Sequence, residues 1–597
     1  MFTFGSDGQP KYKFTGSELC FGETDGSSYP NGGLRATHTA GGYTIIDATS
    51  PIFMREDTIY IPTIFASWTG FALDEKIPLL RSCESLSKEG VRFLSKFGHT
   101  ASAVQPNIGL EQEFFFVPRD LYAKRLDLVM AGRTVMGKDP PRGQEMCDHY
   151  MGPPNQHAME CIREIQKEAF LMGIPLKTRH REVAPNQYEF APYFGFVTTQ
   201  IDQNLMVMQI AEEVAARYNL AVLLQEKPFN GVNGSGKHNN WSIGTPEGLN
   251  LFNAGQVAET LKSKEAFPAI MACIVQGVNR HGDLMRAAIA NPGNDFRLGA
   301  CEAPPAIIST YLGDSLTEYL KAYMEGSDAE YKPEKRPLDT GISFIPSFSV
   351  PSEDRNRTSP FPYGGHRFEF RAVGSAQNVS LVNVVLNALT TEAMKEFSDK
   401  VDAGQSIKDV TIAMLKENFK AVFNGNGYAE SWKDEAVSRG IWRIDSGVEA
   451  LEHLTSDKNK AMFKALNILG EEELTAKRDV HLDHYTNTVE IECLAMIDMM
   501  QQQVIPAIKE AKMATGDLEA GVKKLQEGIK GVHAGADSIA KARLARVLRL
   551  ETMVAVRETC DTAEATCPAH LWPMPNYTQL LFLDQTTDAF GNTIATK

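Results

Sequence analysis

The sequence predicts an α+β protein whose chemistry sits on strands and whose C-terminal third is a layer of helices. Two observations lead there. Four short segments between residues 109 and 371 alternate like strands, and after about residue 380 apolar residues recur at helical spacing.

Residues 16–105 are mixed, with short apolar runs such as Thr58–Phe65 set between turns such as DGSSYPNGG. GLEQEFFFVP, residues 109–118, reads as a strand, with β-prone aromatics and then a proline stop. Asn155–Met172 reads as a helix that opens after a Pro-Pro pair and closes on Gly173-Ile174-Pro175. A strand-like YEFAPYFGFV precedes a second helix over Gln200–Tyr218, and glycine turns with alternating residues return over 225–245. Helical spacing then runs through 383–423 and 471–512, with a break expected near Pro506. Two helices rich in Ala, Lys, Glu and Leu follow at 516–530 and 535–565. Met496, Met499 and Met500 read as core, and no chemistry is read in this third. No repeat of roughly 20–50 residues is evident. These changes divide the chain into 1–105, 106–380 and 381–597.

The chain has 597 residues, 43% of them hydrophobic, enough for a large core and more than one domain. No apolar run reaches the roughly eighteen residues a membrane span needs. The opening MFTFGSDGQPKYKF lacks the apolar core and cleavage site of a secretory signal. A net charge of −15 without a Lys/Arg-rich stretch argues against nucleic acid as a partner. Nine cysteines, an odd number with no CxxC pair, point to a reducing compartment without a disulfide framework or zinc knuckle.

The four informative segments carry acids, an imidazole and arginines. In the first, Glu111 and Glu113 project from one strand face, roughly 7 Å apart along it, too far to share one pair of close metals. An isolated Glu-x-Glu marks a solvated face; the adjoining FFF favours a buried strand, where unpaired acids are costly. In REVAPNQYEF, Glu182 and Glu189 flank a turn at Pro185-Asn186, and a hairpin would bring them together. In FNGVNGSGKHNNWSI, Gly231–Lys237 nearly matches a phosphate-binding loop. His238 replaces the required hydroxyl, however, and a strand pattern follows where a helix must start, so that reading is rejected. Read as a glycine turn entering a strand, it sets His238, Asn240 and Ser242 on one face; a lone histidine there is more often packed or at the surface than a ligand. In DRNRTSPFPYGGHRFEFR, Glu369 and Arg371 share one face and Phe368 and Phe370 the other, with Arg367 at the strand start and Arg355 and Arg357 in the preceding loop.

Singly, each segment has an ordinary explanation. Together they supply five carboxylates, which cannot all ionise at close quarters without cations. An oxygen-dominated set suits Mg²⁺ or Mn²⁺ rather than zinc, and the arginines suit phosphate or carboxylate. Metal, phosphate and carboxylate together are what activation of an acid by ATP requires.

EQEFFF, REVAPNQYEF, NGSGKHNNWS, RLGACEAPPAIIS and NRTSPFPYGGHRFEFR resemble, in order, the motifs of the glutamine synthetases, type III branch, and the likeness runs from about Gly16 to WPMPNYTQLLF. The resemblance implies a curved antiparallel sheet, an open barrel, with helices behind it. It implies two Mg²⁺ or Mn²⁺ ions, ATP as co-substrate, glutamate and ammonium as substrates, and a homo-oligomer of stacked rings. Glu113, Glu182 and Glu189 would hold one metal; Glu111, His238 and Glu369 would hold the metal bridging the ATP phosphates. Asn233, Gly234, Arg297 and Arg371 would position glutamate, and Arg357 would steady the transferring phosphoryl group. Glu302 would ride a flap, Tyr150 would frame the ammonium pocket, and Asn240 and Ser242 would lie near the nucleotide.

The implied reaction joins ammonia to glutamate through a γ-glutamyl phosphate, with Glu182 and Glu302 favouring ammonium and taking its proton. The cytosol is the expected compartment, or a plastid where an N-terminal extension precedes the chain. Two departures from the pattern stand out. The likeness leaves no obvious room for the family's N-terminal β-grasp domain, since Asp25-Gly26-Ser27-Ser28 reads as the segment that follows it. A further arginine just beyond Arg357 is replaced by the FPY stretch. A γ-glutamyl amide ligase using another amine, and a non-catalytic scaffold, are the alternative readings.

Overall fold

The computed structural model describes residues 3–4, 10–11, 20–25 and 41–583, apart from 68, 73, 147, 148, 302, 334, 335 and 351–355. Its centre is a 14-residue strand, β1 (Gln105–Pro118), long enough to take several neighbours along its length. Those neighbours are β2 (Leu176–Arg181), β3 (Gln187–Pro192), β4 (Gly195–Phe196), β5 (Leu220–Leu223), β6 (Lys237–Gly244) and β7 (Phe368–Phe370). The path runs β7-β6-β1-β3-β2, with β4 and β5 also on β1, and every pairing is antiparallel.

Register decides what this sheet can do. Residues directly opposite one another across an antiparallel pair project to the same face. Glu111 lies opposite His238 and Glu113 opposite Glu189, Glu189 is opposite His180, and Asn240 is opposite Glu369. One face therefore carries a cluster of acids and imidazoles. The other face carries Leu110, Phe114, Tyr188, Phe190, Trp241, Phe368 and Phe370, all fully or almost fully buried. Phe114 stacks on Phe190 at 4.7 Å between ring centroids.

Helices cover that apolar face. One group, α1 (Gln156–Leu171) and α2 (Val197–Arg217), packs Ile162, Ile165, Ile210 and Val214 against Phe114 and Phe190. The other, α3 (Ala266–Ala288) and α4 (Ser380–Asp402), lies with Trp241, Phe368 and Phe370 in the main core. α3, which the sequence reading did not single out, is buried on nearly all sides, polar residues such as Gln276, Asp283 and Arg286 included. A helix over Lys76–Ser95, packed on α4, also lies inside the stretch expected to be mixed. The helix expected from Asn155 begins at Gln156, with Asn155 as the cap accepting a hydrogen bond from the Ala158 N–H at 2.9 Å.

The expected break at Pro506 does not occur. Glu471–Met499 (α5) passes through a π-turn, Met500–Val504, into Ile505–Glu510. The wider turn places Pro506 in the first turn of the next helical segment, where its missing N–H costs little. The last long helix has the same device: Ser538–Val547, a π-turn at Leu548–Thr552, then Met553–Thr566. Among the described residues, no helix is long and apolar enough to cross a membrane.

Because Glu369 and Arg371 are held by the phenylalanines that alternate with them, the apolar face sets the geometry of the polar one. Phe370→Ala is expected to cost about 3–5 kcal/mol of stability, read as a lower urea midpoint. A midpoint equal to the parent's would show that β7 is not packed on the helices in solution.

Candidate active site

The cluster of acids lines a cavity of about 600 Å³ on the open face of the sheet. At one end, His238 Nδ1 lies 3.0 Å from Glu111 and 3.4 Å from Glu369, while its Nε2 is 3.5 Å from Glu113. One imidazole thus touches carboxylates on two strands besides its own. Asn240 Nδ2 donates to the other Glu111 oxygen at 2.9 Å, and Arg367 Nε donates to Asn240 Oδ1 at 2.6 Å. Arg371 Nε is 3.2 Å from Glu369, so Glu369 and Arg371 meet on the face where alternation put them.

At the other end, the hairpin β2–β3 brings Glu182 and Glu189 together, as its turn residues implied. Asn186 supplies the left-handed backbone that the turn demands, with φ of 57°. His180 Nε2 sits 3.0 Å from Glu182 and 3.7 Å from Glu189. Glu113 lies between the two ends and accepts a hydrogen bond from the Gly236 N–H at 2.6 Å. Tyr150 donates its hydroxyl proton to Glu182 at 3.1 Å, and Arg357 lies over the Tyr150 ring at 5.3 Å.

A smaller adjoining cavity of about 180 Å³ is lined by Asn233, Gly234, Arg297, Arg357, Arg371 and Tyr428, with Glu113 and Glu182 at its border. The glycine turn is required here by close approach. A Cβ on Gly234 would stand 2.4 Å from the Glu226 carbonyl oxygen, and one on Gly236 2.3 Å from Arg297 Nη2. Arg297 is buried, its guanidinium donating to the carbonyls of Val373 and Arg371 at 3.2 and 3.1 Å.

The electrostatics divide these acids. Burial opposes the charge on Glu369, but the His238 hydrogen bond, His238⁺ and Arg371 outweigh it and hold the carboxyl at about 2. Glu111 is also lowered, burial being offset chiefly by the His238 hydrogen bond. Burial likewise disfavours the imidazolium of His238, yet Glu113, Glu111 and Glu369 raise it to about 10. Glu189 is pushed well above the usual carboxylate range by burial and then by Glu111, Glu182 and Glu113. Glu113 is raised, first by burial.

A divalent cation fits this arrangement. Glu111, His238 and Glu369 each offer a donor atom, all within 4.8 Å of one another; so do His180, Glu182 and Glu189. Carboxylate-rich donor sets of this kind suit Mg²⁺ or Mn²⁺. Glu113 borders both sets without belonging to either. Two close cations would offset the repulsion that, after burial, raises Glu189.

Of the residues singled out in the sequence, Tyr150, Glu182, Glu189, Glu111, Glu113, His238, Arg357, Glu369 and Arg371 share the larger cavity, and Asn233, Gly234 and Arg297 the smaller. Asn240 reaches the site through Glu111. Ser242, opposite Asn107 farther along β6, lines neither cavity. Glu302, Arg355 and residues 26–28 of the DGSS stretch lie outside the described residues.

Among the residues in or beside the site that the sequence reading did not single out, three stand out. His180 sits two positions before Glu182 and opposite Glu189, so alternation could have found it. Gln144 clasps Asn233 by two hydrogen bonds of 3.0 and 2.9 Å. Tyr428 comes from the C-terminal third, where no chemistry was expected, and donates to the Arg357 carbonyl at 3.3 Å. Nothing in the sequence around Gln144 or Tyr428 marks them.

Three family models match the chain: glutamine synthetase type III N terminal over residues 1–82, glutamine synthetase, catalytic domain over 92–292, and glutamine synthetase C-terminal domain over 406–524. A type-3 glutamine synthetase of Dictyostelium discoideum is 43% identical over 84% of this chain and 70% of its own length. A glutamine synthetase of Bacteroides fragilis is 36% identical over 97% of this chain and 85% of its own. A solved glutamine synthetase structure from Plasmodium falciparum covers 80% of this chain and 89% of that one, at a TM-score of 0.49 and 18% identity.

Mn²⁺ added to the metal-free chain should raise its thermal midpoint, by a stabilisation of about 2.7 kcal/mol per site at a hundredfold excess over Kd. Glu369→Ala and Glu189→Ala should each remove part of that gain, and Ser242→Ala none. A full gain in both carboxylate variants would show that the cations bind elsewhere.

Proposed function

We infer the reaction from the family and the roles from the site: the chain belongs to the type III glutamine synthetases. It is a glutamate–ammonia ligase that uses ATP and a divalent metal, Mg²⁺ or Mn²⁺, to make glutamine. The observation that carries the site reading is the pair of carboxylate–imidazole groups on one sheet face beside converging arginines.

In this reading Glu111, His238 and Glu369 hold one cation and Glu113, Glu182 and Glu189 the other, with His180 adding a donor to the second set. Bound there, the cations would supply charge neutralisation to the phosphates and polarise the phosphoryl group that is transferred. Asn233, Gly234 and Arg297 orient glutamate, and Arg371 pairs with its carboxylate. The side-chain carboxylate of glutamate attacks the γ-phosphate of ATP, giving γ-glutamyl phosphate and ADP. Arg357 lies beside Tyr150 at the junction of the two cavities and steadies the charge that builds on the phosphoryl oxygens. Ammonium is held against Glu182 and Tyr150; Glu182 takes its proton, and the ammonia attacks the acyl carbon and releases phosphate. Glu302 closes the pocket so that water does not reach the acyl phosphate. Asn240 lies at the nucleotide end. Ser242 sits outside both cavities, which leaves its expected place near the nucleotide without support.

Residues 106–380 are the catalytic unit in this account, residues 1–105 its N-terminal part and 381–597 a helical region. The sheet is the open barrel of the family, the chain assembles into stacked rings, and it works in the cytoplasm.

Glu302→Ala should leave ATP and Mn²⁺ binding intact and lower amide formation by about 10²–10⁴-fold; an equal loss of ATP binding would remove Glu302 from the flap. With glutamate, ATP and Mg²⁺, the product formed from ammonium should be glutamine, with methylamine a poor substitute. Faster turnover of methylamine would identify a γ-glutamyl amide ligase of different specificity.

A further inference from the structure

The segment that carries Arg297 is held at Asp295 and Phe296 by side chains of the C-terminal helices. It is one turn, Asn294–Arg297, following Pro292-Gly293. Phe296 lies between two guanidiniums, Arg133 at 4.5 Å and Arg549 at 4.7 Å from its ring centroid. Both arginines are fixed by one carboxylate, Glu492, which is wholly buried two turns before the end of α5. Arg133 Nε donates to Glu492 Oε1 at 2.8 Å, and Arg549 forks onto both oxygens at 2.8 Å each. Arg549 also donates to the Pro292 carbonyl. One residue before Phe296, Asp295 accepts the hydroxyl proton of Tyr485 at 2.8 Å and the N–H of Gly447 at 3.0 Å. Tyr485 and Glu492 lie seven positions apart on α5, two turns along the same face.

Three buried charges arranged around a ring make an expensive element, and one that has to be complete to be tolerated. Two cations facing one carboxylate leave a surplus positive charge, which the Phe296 face and the Pro292 carbonyl take up. A core that needed only stability could fill this space with apolar side chains. What the charged set adds is directional: it fixes the Phe296 ring from the far side, while Tyr485 and the Gly447 N–H fix the Asp295 carboxylate, which also lies 3.6 Å from the buried Arg286 guanidinium. Arg297, next in the chain, can then reach the glycine turn only in one pose, with its guanidinium on the carbonyls of Val373 and Arg371.

We propose that the C-terminal helical layer is a positioning device for the substrate cavity, with Glu492 and Tyr485 as positioning residues that act through Phe296 and Asp295 on Arg297. The proposal rests on the reading of Arg297 as the group that orients glutamate. It gives a function to the third of the chain in which the sequence showed no chemistry. Neither residue touches a reacting atom, so the effect falls on glutamate and leaves the nucleotide and the metals alone.

The test uses the full chain with two mild variants, Tyr485→Phe and Arg549→Lys, because Glu492→Gln risks unfolding. Each should raise the KM for glutamate by about three- to tenfold while the KM for ATP and the Mn²⁺-induced rise in thermal midpoint stay as in the parent. In an Arg297→Ala background, neither should add to the glutamate KM, since the residue they act through is gone. An unchanged glutamate KM, with or without a lower thermal midpoint, would reduce the network to a structural support and overturn the proposal. If Arg297→Ala alone leaves the glutamate KM unchanged, the assignment of Arg297 is wrong and the proposal falls with it; that arm separates the two failures.

Discussion

Everything in this molecule answers to one electrostatic demand, which is to hold five carboxylates together on the inner face of a sheet. Burial raises the pKa of such carboxylates, and like charges at this spacing add to the effect, as Glu189 shows most strongly. The cluster can be kept ionised only by positive charge brought into it. The chain supplies part of that charge through His238, which touches Glu111, Glu113 and Glu369, and through Arg371 beside Glu369. Each of the two donor sets could hold a divalent cation, which would supply the remainder.

The rest of the fold follows as support. Alternation lets β1, β3 and β7 carry carboxylates on one face and aromatics on the other, so that Phe114, Phe190, Phe368 and Phe370 hold the acids from behind. Cross-strand register converts four separate sequence segments into one cluster. A glycine turn brings backbone against Arg297, where no side chain fits. The helices beneath bury the aromatic face, and α5 reaches past the core to grip the turn before Arg297.

Much of this was legible in the sequence, for a local reason. Strand alternation is a property of neighbouring residues, so the shared faces of Glu111 with Glu113, His238 with Asn240, and Glu369 with Arg371 could be read directly. The hairpin joining Glu182 to Glu189 was readable from Pro185-Asn186. What could not be read depends on contacts distant in the chain. Tyr428 meets Arg357 across 71 positions, and Arg133 meets Glu492 across 359. The helix through Pro506 stayed hidden because a π-turn absorbs the proline. His180 was missed although alternation would have shown it, and Ser242, placed by resemblance, lines neither cavity.

The account's central claim is that this cation-compensated cluster drives transfer of the ATP γ-phosphoryl group to glutamate ahead of ammonia. The most direct measurement is phosphate release from ATP by the purified chain, with glutamate, ammonium and Mg²⁺ or Mn²⁺ each omitted in turn. The account predicts sustained release only when all three are present. Release that persists without glutamate, or none with the full set, would contradict it.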